Sequence, residues 1–190
     1  MKPYHQLECN NLAEIQQQVL AWIQLKNSQV LSSSQLWNKI DTADLIKSTP
    51  ALIEYCQLLD LKIREVALTI INKKENKKED AGLHIDELPV TAKINIPILN
   101  TKNTMNRWYD IPQQLLDKTE PTLNRFGKKF YNFNNVDYTK LKLLGEVELL
   151  NPVVFNSQIA HNIVLGEQCC FPRIVLACTF FKEPLHYLKD

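Results

Sequence analysis

From Leu61 onward the chain is a succession of short β-prone runs, and this pattern limits the possible fold more than any other feature of its 190 residues. "LKIREVALTIIN", "VTAKINIPIL", "TMNRWYDI", "GEVELL", "NPVVFN", "HNIVLG" and "FPRIVLACTFF" are each apolar and β-prone, and Asn, Pro, Gly and Gln separate the last four. A short strand cannot bury its apolar face alone, so many of them at close intervals predict a barrel or a double-sheet sandwich. The run "VTAKINIPIL" adds a direction. Ala92, Ile94, Ile96 and Ile98 alternate with Lys93, Asn95 and Pro97. Successive strand residues point to opposite faces, so one face is to meet an apolar core and the other something polar.

The first third has a different period. In "NNLAEIQQQVLAWIQLKN", Leu12, Ile15, Val19, Trp22 and Ile23 recur at helical spacing, with Asn11 in the place of a cap and Glu14 three residues on. "SSSQLWNKID" predicts a second, shorter helix, and "STPALIEYCQLLD" a third that carries Pro50 at its first position. The chain is therefore expected to be one α+β domain over residues 1–190. Residues 1–60 are helical, 61–181 form the β core, and 111–140, rich in prolines, amides and mixed charge, form an irregular insertion. Helices would cover one face of the β core. The run "NKKENKKED" is expected to be a solvated loop.

Composition excludes some partners. A formal charge of +1 provides no global field to draw the chain to nucleic acid or to an anionic membrane. No stretch approaches the ~20 apolar residues of a membrane span, and "MKPYHQLECNN" lacks the apolar core of a signal peptide, so a cytoplasmic location is expected. The five cysteines, at positions 9, 56, 169, 170 and 178, form no CxxC pair and are expected to be reduced. Cys178, inside "IVLACTFF", is expected to act as a small hydrophobe.

The chemistry gathers on "GLHIDE". If this piece is extended, His84 and Asp86 point to the same side, since strand residues two apart share a face. An imidazole beside a carboxylate can bind a divalent metal, act as an acid/base pair or simply satisfy its neighbour. His5 and His186 lie near the two ends, whereas His161 sits between two β-prone runs. Two histidines and one carboxylate make the facial triad of non-haem Fe(II) oxygenases, which leaves coordination positions open. Arg173 follows within "FPRIVLACTFF", a cation in an apolar strand that needs a partner, and its fork suits a carboxylate.

The order HxD, a long gap, a distal His and then Arg on the following strand resembles the Fe(II)/2-oxoglutarate-dependent oxygenases. "GLHIDELPVTAKINIPILNT", "NRWYD" and "GEVELLNPVVFNSQIAHNIVLGEQCCFPRIVLACTFF" are similar to segments of the aspartyl/asparaginyl β-hydroxylase-like branch, and the resemblance spans roughly residues 61–181. It implies a cupin-like double-stranded β-helix, or jelly roll. It also implies that His84, Asp86 and His161 hold Fe(II) and that Arg173 binds the distal carboxylate of 2-oxoglutarate; Asn95 and Asn156 are candidates to line the co-substrate pocket, each with a structural strand or turn amide as its other reading. The implied reaction consumes dioxygen and 2-oxoglutarate to hydroxylate a peptide side chain or a small molecule. One departure is Val175, which stands where this family often carries a hydroxyl residue beside the arginine.

The 111–140 insertion is the natural recognition loop. Its Arg125, Phe126, Lys128, Lys129, Phe130, Tyr131 and Phe133 are read as ordinary packing with solvated lysines rather than as a base-stacking surface. Two other readings stay open: a catalytically inactive jelly-roll binding protein, and a cupin-like metal enzyme of another reaction type, which would not require Arg173.

Overall fold

The computed structural model describes residues 1–26, 28–32, 36–72, 82–86, 90–123, 129–133 and 136–189. The described strands are β1 (Tyr4–Gln6), β2 (Trp37–Lys39), β3 (Ile63–Ile71), β4 (His84–Ile85), β5 (Ala92–Leu99), β6 (Thr104–Asp110), β7 (Thr122–Leu123), β8 (Lys129–Asn132), β9 (Lys142–Glu148), β10 (Val153–Asn156), β11 (Ala160–Leu165) and β12 (Arg173–Phe180). The described helices are α1 (Leu12–Lys26), α2 (Thr42–Ser48), α3 (Pro50–Leu58) and α4 (Gln113–Lys118).

The strands form two antiparallel sheets, ordered β1-β10-β5-β12-β3-β2 and β7-β8-β4-β11-β6-β9. From β3 to β6 the chain alternates between the sheets, and from β9 to β12 it does so again. Each sheet is therefore built from strands far apart in sequence, and its inner face is assembled from both halves of the β region.

The two faces read from "VTAKINIPIL" are both present. Ile94, Ile96 and Ile98 of β5, Leu176 and Cys178 of β12 and Leu68 and Ile70 of β3 join one buried cluster with Ile15, Val19, Trp22 and Ile23 of α1, Leu45 of α2 and Leu52 of α3. The helices thus pack against the outer face of the first sheet, and Lys93, Asn95 and Pro97 are left to its inner face. Leu176 is fully buried. Leu176→Ala is expected to destabilise the protein by about 2–5 kcal/mol through lost transfer energy and a residual cavity. Equilibrium denaturation should show a lower midpoint at unchanged slope.

Local signals set the helix starts. The Asp41 carboxylate accepts the Asp44 backbone N–H at the head of α2, and Pro50 opens α3. Asn11 does not cap α1 through its side chain. Its amide donates to the Ala51 carbonyl and accepts from the Cys9 thiol, tying α1 to α3.

Three expectations are corrected. "SSSQLWNKID" was expected to be a helix, yet Trp37–Lys39 is a strand that pairs with β3 (Trp37↔Thr69), while residues 33–35 lie outside the described residues. The N-terminal third is also not wholly helical, because Tyr4–Gln6 pairs with β10. Finally, the 111–140 segment contains α4 and two strands. β8 extends the second sheet beside β4 (His84↔Asn132, Ile85↔Tyr131). These strands are two to four residues long, and β1, β2 and β8 each pair with a strand distant in sequence, which no local period reports.

Tyr131 and Phe133 of that segment pack with Leu83, Ile85 and Tyr109, in keeping with a packing role. Arg125, Phe126, Lys128, the charged run 73–80 and Glu87 lie outside the described residues. No described helix is long and apolar enough to cross a membrane.

Candidate metal centre

Strand pairing creates the centre. His84, first residue of β4, stands directly opposite His161 of β11, with ring centroids 4.3 Å apart. Asp86 leaves β4 held by its backbone: its N–H donates to the Ser157 carbonyl at 3.0 Å, and its carbonyl accepts from Gln158 Nε2 at 3.3 Å. The turn that leads into His161 therefore also positions Asp86.

The imidazoles are oriented from behind. His84 Nδ1 lies 2.6 Å from the Gly82 carbonyl and His161 Nδ1 2.8 Å from the Ile159 carbonyl. A carbonyl only accepts, so each Nδ1 donates a proton to it and Nε2 is the ligand atom that each ring offers. Both Nε2 atoms face the carboxylate, with His84 Nε2 3.6 Å from Asp86 Oδ1 and His161 Nε2 3.9 Å from Asp86 Oδ2. One ligand atom from each of the three residues lies within 4.8 Å of the others. His84 Nε2 is buried without a hydrogen-bond partner among the described residues. Two imidazole nitrogens fixed by carbonyls behind them, converging on a carboxylate, are a donor set for a divalent transition metal.

The protonation states agree with that use. Burial, and then the neighbouring His84, push His161 down to about 4, so its ring is neutral at pH 7. Burial works to raise Asp86, but Lys93, whose Nζ lies 2.8 Å from Oδ2, outweighs it and holds the carboxyl well below the usual carboxylate range. Metal ligands must be deprotonated, and these two groups already are. Aromatic rings close the surroundings: Trp37 meets His84 edge-on at 6.4 Å between centroids, and Phe155 meets His161 at 5.3 Å.

Arg173 opens β12 on the face opposite Ile174, which turns to the helices, and it is 1% exposed. Its Nε donates to Thr104 Oγ1 at 3.0 Å, and the Thr104 hydroxyl donates onward to the Thr101 carbonyl at 2.7 Å. Nη1 and Nη2 have no hydrogen-bond partner among the described residues. Burial lowers Arg173 to about 10, which still leaves a cation at neutral pH. Thr104 belongs to β6, the strand that pairs with His161 through Trp108, so triad and arginine are set along the same interior. Thr104→Val keeps the shape but removes the one hydroxyl that Arg173 engages. The melting temperature is expected to fall, reflecting a loss of about 1–3 kcal/mol for a buried cation that loses its acceptor.

Asn95 lies on the inner face of β5 with Lys93, between Val153 of β10 and Ala177 of β12. Asn156 is not brought to the centre. It lies on the face opposite Phe155, and its amide is engaged by the turn, with Nδ2 3.4 Å from Met1 Sδ and Oδ1 accepting the Gln158 N–H at 2.9 Å. Val175 joins an apolar cluster with Trp108, Val153 and Phe155, and the hydroxyl beside the arginine comes instead from Thr104 on the other sheet.

Sequence reasoning missed Lys93, Thr104 and Trp37. Lys93 had a signal, since a lysine on the polar face of a strand with one buried face is a candidate to meet a buried acid. Thr104 and Trp37 had none, because their partners are set by sheet packing.

No protein-family model and no curated protein matches the sequence. Solved structures do. The epimerase SnoN in complex with Fe3+, alpha ketoglutarate and nogalamycin RO superposes with a TM-score of 0.52 at 10% identity, covering 100% of this chain and 85% of that one. AviO1 from Streptomyces viridochromogenes Tue57 gives 0.45 at 11% identity over 96% of this chain and 92% of its own. A second structure of SnoN, a non-heme alpha ketoglutarate dependent epimerase from nogalamycin biosynthesis, gives 0.37 at 10% over 93% and 77%. The first of these likenesses is one of fold: antiparallel sheets in two layers with few helices.

Proposed function

We propose that this chain is a non-haem Fe(II)- and 2-oxoglutarate-dependent enzyme of the double-stranded β-helix fold, acting on a C–H bond of a small molecule or peptide side chain. One observation carries the reading. A His/Asp/His donor set and a buried arginine with two guanidinium nitrogens that have no partner among the described residues face the same interior. A metal site alone would serve many reactions. A second, buried cation calls for a ligand that is itself an anion, and a dicarboxylate can chelate a metal at one end and pair with a guanidinium at the other. The donors fit iron, which two imidazoles and one carboxylate hold with positions left open.

His84, Asp86 and His161 would hold the iron, Arg173 would fix the distal carboxylate, and Asn95 would line the space between. When bound, iron supplies the activation of dioxygen, coupled to loss of carbon dioxide from the oxo acid. The chain's own part is to orient ligands and exclude water. The Gly82 and Ile159 carbonyls hold the rings, Thr104 holds Arg173, and Trp37 and Phe155 wall the centre with apolar surface. In a hydroxylation, one oxygen atom of dioxygen ends in the substrate C–H bond and the other in succinate. SnoN is an epimerase, and inversion from the same start would take one hydrogen from the substrate carbon and return another to its opposite face, with an external two-electron reductant carrying the second oxygen atom of dioxygen to water.

Anaerobic addition of Fe(II) and 2-oxoglutarate is expected to produce a visible metal-to-ligand charge-transfer band. No band with the wild-type protein would rule the reading out in favour of an inactive jelly roll or a cupin-like enzyme that works without an oxo acid. Product mass then separates the two outcomes, since hydroxylation adds one oxygen atom and inversion adds none.

A further inference from the structure

The interior holds a third cation that the proposed reaction does not call for. Lys93 lies on the inner face of β5, its side chain 14% exposed, and its ammonium is 2.8 Å from Asp86 Oδ2. The other oxygen, Oδ1, is 3.6 Å from His84 Nε2, while Oδ2 is also the oxygen that faces His161, at 3.9 Å from its Nε2. The backbone of Asp86 is pinned on both sides by the β10–β11 turn, and Lys93 holds the carboxylate itself through Oδ2.

We infer that Lys93 is a positioning residue that reserves Oδ2, so that Asp86 meets a metal through Oδ1 alone. This rests on the iron and 2-oxoglutarate reading above. The consequence is a count of positions. A carboxylate binds a metal through one oxygen or two, and the second oxygen takes one more place in the coordination sphere. A triad bound through single atoms leaves three places, two for a chelating oxo acid and one for a further small ligand. A carboxylate free to swing both oxygens onto the metal would leave only two. Lys93 also compensates the buried charge of Asp86 in the metal-free protein, and so keeps the centre assembled before metal arrives.

The test uses the full chain under anaerobic conditions, with Fe(II), 2-oxoglutarate and then nitric oxide as the probe of the last place. Circular dichroism checks the fold of each variant. Wild-type protein is expected to give the charge-transfer band and then the electron paramagnetic resonance signal of a nitric oxide adduct. Lys93→Met should keep the band at 2-oxoglutarate affinity within about threefold of wild type, yet bind nitric oxide at least about tenfold more weakly. A purely structural role for Lys93 would weaken both together. Nitric oxide binding as tight as wild type, or a parallel loss of both ligands, overturns the inference.

Lys93→Arg tests the same relation from the other side and serves if the methionine variant does not fold. Its planar fork can clasp both carboxylate oxygens. Co(II) affinity, followed by its visible absorption, should then fall at least about tenfold, and an unchanged affinity counts against the inference. A wild-type protein that gives no charge-transfer band refutes the underlying function instead. The two failures are therefore distinguishable.

Discussion

Arg173→Met is expected to weaken 2-oxoglutarate binding by roughly a hundredfold or more while leaving metal affinity within a few-fold of wild type, since removing one partner of a buried charged pair costs about 2–5 kcal/mol. The geometry explains the split. Arg173 touches none of His84, Asp86 or His161 in the described hydrogen bonds and ion pairs; its one partner is Thr104. Its two other nitrogens are unpaired at 1% exposure, and burial has already pulled it down to about 10.

A charge that is buried and only partly compensated works against the folded state, so exchanging it for an apolar side chain of similar length should leave the ligand-free protein as stable as before, or more so. Adding 2-oxoglutarate and metal should raise the wild-type melting temperature and leave that of Arg173→Met at its metal-only value. Arg173→Lys is not conservative here, because a single ammonium cannot reproduce two parallel bonds to one carboxylate. Titration of the Fe(II) protein with 2-oxoglutarate and of the apoprotein with Co(II) reads both quantities. An unchanged 2-oxoglutarate affinity in Arg173→Met would detach the arginine from the proposed co-substrate.

Removal of either end of the HxD pair should abolish metal binding, and the two variants should differ in what else they do. If three ligands share a transition-metal binding energy on the order of that of structural zinc, each contributes about 3–4 kcal/mol, and loss of one lowers affinity by at least about a hundredfold. His84→Ala deletes a ring whose Nε2 has no hydrogen-bond partner among the described residues, so the metal-free protein should lose little beyond packing against Trp37 and His161. Asp86→Ala deletes the anion beside Lys93 and leaves an uncompensated ammonium in the interior. It should therefore also lower the melting temperature of the metal-free protein, by clearly more than His84→Ala does. Calorimetric metal titration and thermal melts without metal check the two halves. Equal melting losses in both variants would mean that Lys93 escapes to solvent and that the pair is not a coupled interior unit.

Much of the centre was legible before folding was considered. "GLHIDE" places an imidazole and a carboxylate two residues apart, and the pleat of an extended chain sends both to one side. His161 and Arg173 stood out as polar groups at the heads of apolar, β-prone runs, where an unpaired imidazole or guanidinium needs an explanation. The alternation in "VTAKINIPIL" likewise announced a strand with two environments, and both exist: the helices on one side and the interior of Lys93 and Asn95 on the other. Of the two readings of Asn156, pocket lining and a structural turn amide, its identity and its nearness to His161 in the chain could not choose, because neither reports its face, which is opposite that of Phe155.

The amino-acid sequence by itself determined where helical period gives way to strand period, which face of each longer strand is apolar, and which side chains could serve a metal and an anion. Those properties are local, set by residues two to four positions apart along one element. Only the tertiary structure decided that His84 lies opposite His161, that Thr104 rather than Val175 supports Arg173, that Lys93 holds one oxygen of Asp86, and that Tyr4–Gln6 and Trp37–Lys39 are edge strands. Each of these is a contact between segments far apart in the chain, fixed by sheet register and by the packing of one sheet on the other. Register is chosen by the burial of the whole inner and outer faces at once, so no single segment contains it.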